Sequence, residues 1–265
     1  MPGMAANQTE ISIFNKAISL EYQWLGHRRP GGRFMVFLHE GLGSVSTWRD
    51  YPQALCAAGS YRGLAYSRYG YGQSTRRPRP EPFPPDYLDR EAREALPAFL
   101  ESAGAGAEKP WLFGHSDGAS IALIYAARFP DRVAGVIALA PHIFVEPETI
   151  AGLELARTQY LTGDFKQRLA RHHADADSAF WGWNDAWLNP AMRGWNIEHL
   201  LPAIRCPILA IQGYQDEYAT MAQLDGIKRQ APQTDLLKLA ACGHAPHRDQ
   251  AGVVTLAVVD FIANA

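Results

Sequence analysis

Six short apolar runs recur along the chain, most of them separated by helical patterns, and that rhythm leaves few folds open. The runs are Phe34 to Leu38, Leu64 to Tyr66, Trp111 to Phe113, Val133 to Leu139, Pro207 to Ile211 and Leu236 to Leu239. Runs without polar alternation read as strands of a parallel sheet buried on both faces. The patterns between them, Tyr87 to Leu100, Ala119 to Phe129, Ala222 to Gln230 and Val253 to Ile262, supply crossover helices. The prediction is an α/β fold: a mostly parallel sheet, right-handed crossovers and helices on both faces. Two alternating segments ahead of it, Ile11 to Ile13 and Ile18 to Tyr22, predict an opening antiparallel pair.

The stretch from His142 to Leu201 breaks the rhythm. It is too long for a connection and shows no strong strand pattern, so it reads as a helical cap inserted into the core. The expected division is a core of residues 1–141 and 202–265 and a cap of residues 142–201. Four of the seven tryptophans, Trp181, Trp183, Trp187 and Trp195, fall in the cap. Rings of this size either bury the underside of the cap or line a ligand pocket beneath it. Trp181, Trp183 and Trp187 are the candidates for substrate contact. The proline-rich segment from Arg77 to Pro85 reads as a stiff surface loop.

A length of 265 residues suits one core with one insertion. A net charge of −2 with scattered arginines gives no basic stripe, which excludes nucleic acid as the expected partner and leaves small molecules. Three widely spaced cysteines argue against a disulfide framework or a metal site, and for a reducing compartment. The first residues lack a secretory pattern, and no segment is long and apolar enough to predict a membrane span, so the expected location is cytoplasmic. Oligomeric state leaves no mark in the sequence.

Gly114-His115-Ser116-Asp117-Gly118 follows the Trp111 run and precedes a helical pattern. Glycines on either side of a serine permit a sharp strand-to-helix turn that lifts the hydroxyl clear of the sheet, a nucleophile elbow. A serine is a weak nucleophile at neutral pH, so the reading requires a base and a group to orient it. Asp216 follows the strand ending at Ile211, and His244 follows the one ending at Leu239. The order Ser116, Asp216, His244 at strand ends suits a Ser-His-Asp triad. Glu217 is the alternative acid and His247 the alternative base. His115 reads as a structural neighbour of the elbow, and His172 and His173, beside Asp175 and Asp177, as a solvated helix face rather than a metal site. An acyl-transfer site also needs two donors for an oxyanion, and the amides of Asp117 and Gly41 are the candidates.

The ordered set of Leu38 to Ser44 with Trp48, Ser67 to Ser74, the elbow, Gly213 to Asp216 and Gly243-His244 resembles the signature of the α/β-hydrolase superfamily over nearly the whole chain. The Ser-Asp-Gly elbow, the Gly-Leu-Gly-Ser loop and the paired C-terminal histidines are similar to those of its biphenyl hydrolase-like, or valacyclovir hydrolase, branch. The resemblance implies hydrolysis of carboxylic esters, including amino acid esters, with no cofactor and no metal. A thioester or a carbon-carbon bond beside a carbonyl remains an alternative substrate, and a slow-turnover ligand receptor an alternative of another class.

Two carboxylates depart from the family pattern or extend it. Glu40 stands where the superfamily usually has glycine, and is expected either to pair with Arg68 or to shape substrate choice. Asp117 is either a first-turn acid stabilised by the helix dipole or a group that attracts a substrate amine. The expected preference is for amine-bearing or neutral esters over anionic ones.

Overall fold

The computed structural model describes residues 7–27, 32–78 and 83–265. In chain order the strands are β1 (Asn7–Ile13), β2 (Lys16–Leu25), β3 (Phe34–Leu38), β4 (Arg62–Tyr66), β5 (Trp111–His115), β6 (Gly135–Leu139), β7 (Ile208–Gly213) and β8 (Thr234–Leu239). They form one sheet in the order β1-β2-β4-β3-β5-β6-β7-β8. Pairing is antiparallel from β1 to β2 and from β2 to β4, and parallel from β4 onward. The fold is therefore α/β with a mostly parallel sheet, as the apolar rhythm predicts.

Two apolar layers sandwich that sheet, and the period of two assigns each side chain to one of them. Val36, Leu38, Leu112, Val136 and Ala138 join the larger layer. Met35, Phe37, Phe113, Ile137 and Leu139, their immediate neighbours in sequence, join the other. Both faces are covered, which is why these strands carry no polar alternation.

Helices α1 (Tyr51–Gly59), α2 (Tyr87–Arg90), α3 (Leu96–Ser102) and α4 (Asp117–Arg128) lie in the first half of the chain. A π-helical turn, Glu91–Ala95, joins α2 to α3. The sequence pattern signals no helix at α1. Its buried side is only Tyr51, Pro52, Leu55 and Cys56, and alanines blur its period. The segment from Arg77 to Pro85 is more than a surface loop: Phe83 is buried, stacked between Tyr71 and Tyr87 with the Arg77 guanidinium over its ring. Residues 79–82 of that segment lie outside the described part, as do residues 1–6.

Between β6 and β7 the chain builds α5 (Pro147–Thr162), α6 (Phe165–Leu169), α7 (Ala176–Trp187) and two 3-10 turns, Pro190–Met192 and Glu198–Ala203. Helix α8 (Ala222–Gln230) joins β7 to β8, and α9 (Pro246–Asp249) and α10 (Ala251–Asn264) end the chain. Glu146 and Thr149 form a reciprocal capping box at the start of α5, and the Glu146 carboxylate also accepts from the Thr220 amide (3.0 Å) and Gln223 Nε2 (2.6 Å). The entry to the inserted helices is thus tied to the β7–α8 loop. On α7, Ala176, Ala179, Phe180, Trp183, Ala186 and Trp187 form one buried stripe at helical spacing. The three cysteines are buried and unpaired.

His173 pins the inserted segment to the core, in contrast to the solvated face expected for it. Its Nδ1 accepts from the Gly72 amide (3.0 Å) and its Nε2 donates to the Leu42 carbonyl (2.9 Å). Only a neutral imidazole can do both. Burial lowers its pKa from 6.5 to about 4, outweighing its hydrogen bond to Leu42. An unfolded chain binds this proton from about pH 6.5 downward, so the contribution is complete above that pH and fades toward about pH 4. Gln offers the same acceptor and donor without titrating. We expect His173→Gln to lose less stability than wild type between about pH 7 and pH 4 in urea unfolding. Equal losses would exclude the role.

Candidate active site

Strand β5 ends in the elbow. Ser116 sits at φ 54° and ψ −119°, a conformation that side chains rarely tolerate, and the next residue begins α4. A Cβ on Gly118 would lie 1.9 Å from the Leu38 carbonyl oxygen, and one on Gly114 would lie 2.3 Å from the Gly118 oxygen. The two glycines of the motif are therefore spacing requirements: α4 touches the end of β3, and nothing larger fits.

The loops after β5, β7 and β8 bring three of the expected residues into one hydrogen-bonded line. Ser116 Oγ is 2.9 Å from His244 Nε2, and His244 Nδ1 is 2.8 Å from Asp216 Oδ1. The Tyr218 amide donates to the same Asp216 oxygen at 2.9 Å. Burial works against a charged His244, but the Asp216 carboxylate and its hydrogen bond prevail and raise the imidazole above 6.5. Burial likewise opposes the Asp216 charge, and the facing His244 overcomes it, so this carboxyl stays below 3.8. Asp216 thereby holds the ring with Nε2 toward the serine.

The alternatives fall elsewhere. Glu217 accepts from the His244 amide (3.2 Å) and does not reach the ring nitrogens. His247 is buried against Trp48, Tyr51 and His115, with neither ring nitrogen hydrogen-bonded among the described residues. His115 has a definite place: its Nε2 donates to the His244 carbonyl at 2.6 Å, bracing the loop from behind.

Gly41 follows β3 and lies under Trp183, whose Nε1 would be 2.0 Å from a Cβ at that position. The amides of Gly41 and Asp117 have no acceptor among the described residues, although both residues line one cavity with Ser116. That cavity has a volume of about 600 Å³, within the usual range for small-molecule sites. Trp183 and Trp187 line it. Trp181 does not: it falls off the buried stripe of α7, packing edge-on against Phe180 and Tyr160 with Arg157 over its ring.

The two carboxylates have different partners from those expected. Arg68 binds the backbone carbonyl of Glu40 (2.9 Å), but its ion pair is with Asp117 (3.4 Å), and both side chains are 1% exposed. The Glu40 carboxylate lies 3.6 Å from His115 Nδ1 and 3.3 Å from Arg248. Burial would raise the Glu40 carboxyl, but its charge interaction with the nearby His115, aided by Arg248, holds it well below 4.5. Asp117 also accepts from Tyr87 (2.6 Å) and Trp187 Nε1 (3.1 Å). The carboxylate expected to await a substrate amine thus has a cation and two further donors of its own. Neither Tyr87, otherwise only a helix start, nor the reach of Trp187 is visible in local sequence. Long-range packing brings them to Asp117.

A model of the Alpha/beta hydrolase family matches residues 35–257 of the chain. The chain belongs to that family. "Serine hydrolase BPHL" of Mus musculus is 25% identical over 275 residues, spanning 98% of this chain and 88% of that protein. Among solved structures, a thermophilic esterase from Thermogutta terrifontis superposes with a TM-score of 0.74 at 18% identity, covering 98% of both chains. The enol-lactonase from Burkholderia xenovorans superposes at 0.73 with 20% identity, covering 96% of this chain and 99% of its own. These two likenesses concern the fold alone.

A neutral His244 is what can take a proton from Ser116. In this hydrolase kcat/KM should therefore rise with pH through an apparent pKa above 6.5. Asp216→Asn removes the charge that raises it, and should shift the rise to lower pH while cutting kcat by about 10⁴. A rise unmoved by the substitution would detach Asp216 from His244.

Proposed function

We propose that the protein hydrolyses small carboxylic esters by two-step acyl transfer at Ser116. The observation that carries this reading is the hydrogen-bonded line from Ser116 through His244 to Asp216, with Ser116 and His244 lining the cavity. His244 Nε2 takes the hydroxyl proton as Ser116 Oγ attacks the ester carbonyl, and the carbonyl electrons move onto oxygen. The amides of Gly41 and Asp117 serve as the oxyanion hole, the second aided by its place at the start of α4. Collapse of the intermediate expels the alcohol, which takes the proton from His244. Water, deprotonated by the same ring, then attacks the acyl-serine and releases the acid.

No step needs a metal or a cofactor. Residues 142–201 serve as the cap, with Trp183 and Trp187 as apolar wall over the scissile bond. No described helix is long and apolar enough to cross a membrane. The buried, unpaired cysteines suit a reducing, cytoplasmic setting. The preference for amine-bearing esters loses support, because Arg68 already meets the Asp117 charge.

Turnover of short p-nitrophenyl esters tests the reading. Ser116→Ala should reduce kcat at least about 10³-fold, and a fluorophosphonate probe should label wild type at Ser116 alone. Equal turnover by the variant, or labelling elsewhere, would overturn it. Labelling without turnover of any ester would favour a slow-turnover receptor.

A further inference from the structure

The cavity that holds Ser116 changes character from floor to rim. Deep in it Asp117, His142, Trp183 and Trp187 are buried, whereas the rim carries exposed charged side chains. Four arginines belong to that rim: Arg49 and Arg248 from the core, Arg168 and Arg171 from the inserted segment. Arg248 is held by Glu40, and Arg168 by Asp164. Arg49 and Arg171 have no carboxylate partner among the described residues.

Two acids of the cavity have cation partners, and the other two accept from backbone amides instead. Asp117 is paired with Arg68, and Glu40 with Arg248 and His115. Glu217 and Asp249 accept from the amides of His244 and Gly243, at 3.2 Å and 2.8 Å. The two signs also occupy different parts of the site. His172, bonded through Nδ1 to Ser46 Oγ (2.9 Å) where the inserted segment meets the core, is depressed first by burial and then by Arg49, Arg248 and Arg171. His244 is raised by Asp216, Glu217 and Glu40. Arg49, Arg248 and Arg171 thus lie near His172, with Glu40 opposing them there, while Asp216, Glu217 and Glu40 lie near His244. Arg49 is held at φ 55°, an unusual conformation that fixes where its side chain leaves the backbone.

We infer that Arg49 and Arg171 bind an anionic group, carboxylate or phosphate, on the part of the substrate left at the cavity mouth while its ester carbonyl reaches Ser116. Guanidinium is suited to both anions through paired hydrogen bonds. One anion contacting both arginines would also bridge core and inserted segment across the mouth. The substrate class is then an ester with a terminal anion, such as a hemiester of a dicarboxylic acid or an ester carrying a phosphate on its far end. This rests on the ester-hydrolase reading and reverses the charge preference expected from Asp117.

Four fluorogenic esters of matched length test it, ending in a methyl, a carboxylate, a phosphate and an ammonium group. Wild type should show kcat/KM for at least one anionic ester about tenfold or more above the methyl ester, with the ammonium ester lowest. The double substitution Arg49→Gln with Arg171→Gln should remove that advantage and leave the methyl ester within about twofold. Added salt should narrow the advantage in wild type only, because the rim is exposed. Preference for the carboxylate alone or the phosphate alone identifies the source of the anion. Equal rates across the series, a preference for ammonium, or equal losses on all esters in the variant would overturn the inference. Should wild type turn over none of the esters, the hydrolase reading fails. Calorimetric binding of the corresponding amides to wild type and to the double variant then decides the charge preference without catalysis: tighter binding of the anionic amide, lost in the variant, supports it, and equal affinities overturn it.

Discussion

The arrangement of this site depends on helix α4 lying against the end of β3 with no side chain between them. Gly118 permits that contact, since a Cβ there would stand 1.9 Å from the Leu38 carbonyl oxygen. Leu38 is followed by the loop that holds Glu40 and Gly41, and α4 is preceded by Ser116. One backbone contact therefore fixes the serine, the Asp117 amide and the Gly41 amide relative to one another. The strain at Ser116, of order 1–3 kcal/mol for such a conformation, is borne because β5, β3 and α4 are all buried around it. A buried, closely packed setting suits the oxyanion role proposed for these two amides, because such donors act by being in place beforehand.

Behind the elbow lies a second constraint, electrostatic rather than steric. Asp117 and Arg68 are both withdrawn from water, and each alone would be costly to bury. Together with Tyr87, Trp187 and the Glu40 carbonyl they satisfy one another. His39 belongs to this network: its Nδ1 donates to the Glu40 carbonyl and its Nε2 accepts from the Arg68 amide. Burial and the nearby Arg68 charge keep that imidazole well below 6.5, in the neutral form the two bonds require. The floor of the cavity is thus self-compensated, and charge selection falls to the rim, where Arg49 and Arg171 stand.

Much of this was legible in the sequence. The strand runs from Phe34 to Leu38 and from Trp111 to Phe113 could be read because both faces of a parallel sheet are apolar, and α8 because one run of residues carries its amphipathic period. The Ser116 motif could be read because its glycines answer a local steric demand. Charge pairing could not. Glu40 and Asp117 both come close to Arg68 in space, and which carboxylate reaches the guanidinium depends on where β3 and β4 end and α4 begins. Trp181 shows a different failure: four nearby tryptophans suggest a common wall, yet helical spacing puts Trp183 and Trp187 inward and Trp181 off the stripe. The signal was present in the i, i+3, i+7 pattern of Phe180, Trp183 and Trp187 and outweighs composition. His173 was hidden because its partners, Gly72 and Leu42, are backbone groups more than a hundred residues away.

The central claim is that Ser116 carries the acyl group between two half-reactions. A hindered ester such as p-nitrophenyl pivalate slows the second half, so acid quenching during turnover, followed by peptide mass analysis, captures what is bonded to the enzyme. The account predicts the pivaloyl mass on the peptide containing Ser116, appearing together with the first equivalent of nitrophenol. Continued nitrophenol release with that peptide unmodified, or with the acyl group on another residue, would contradict it.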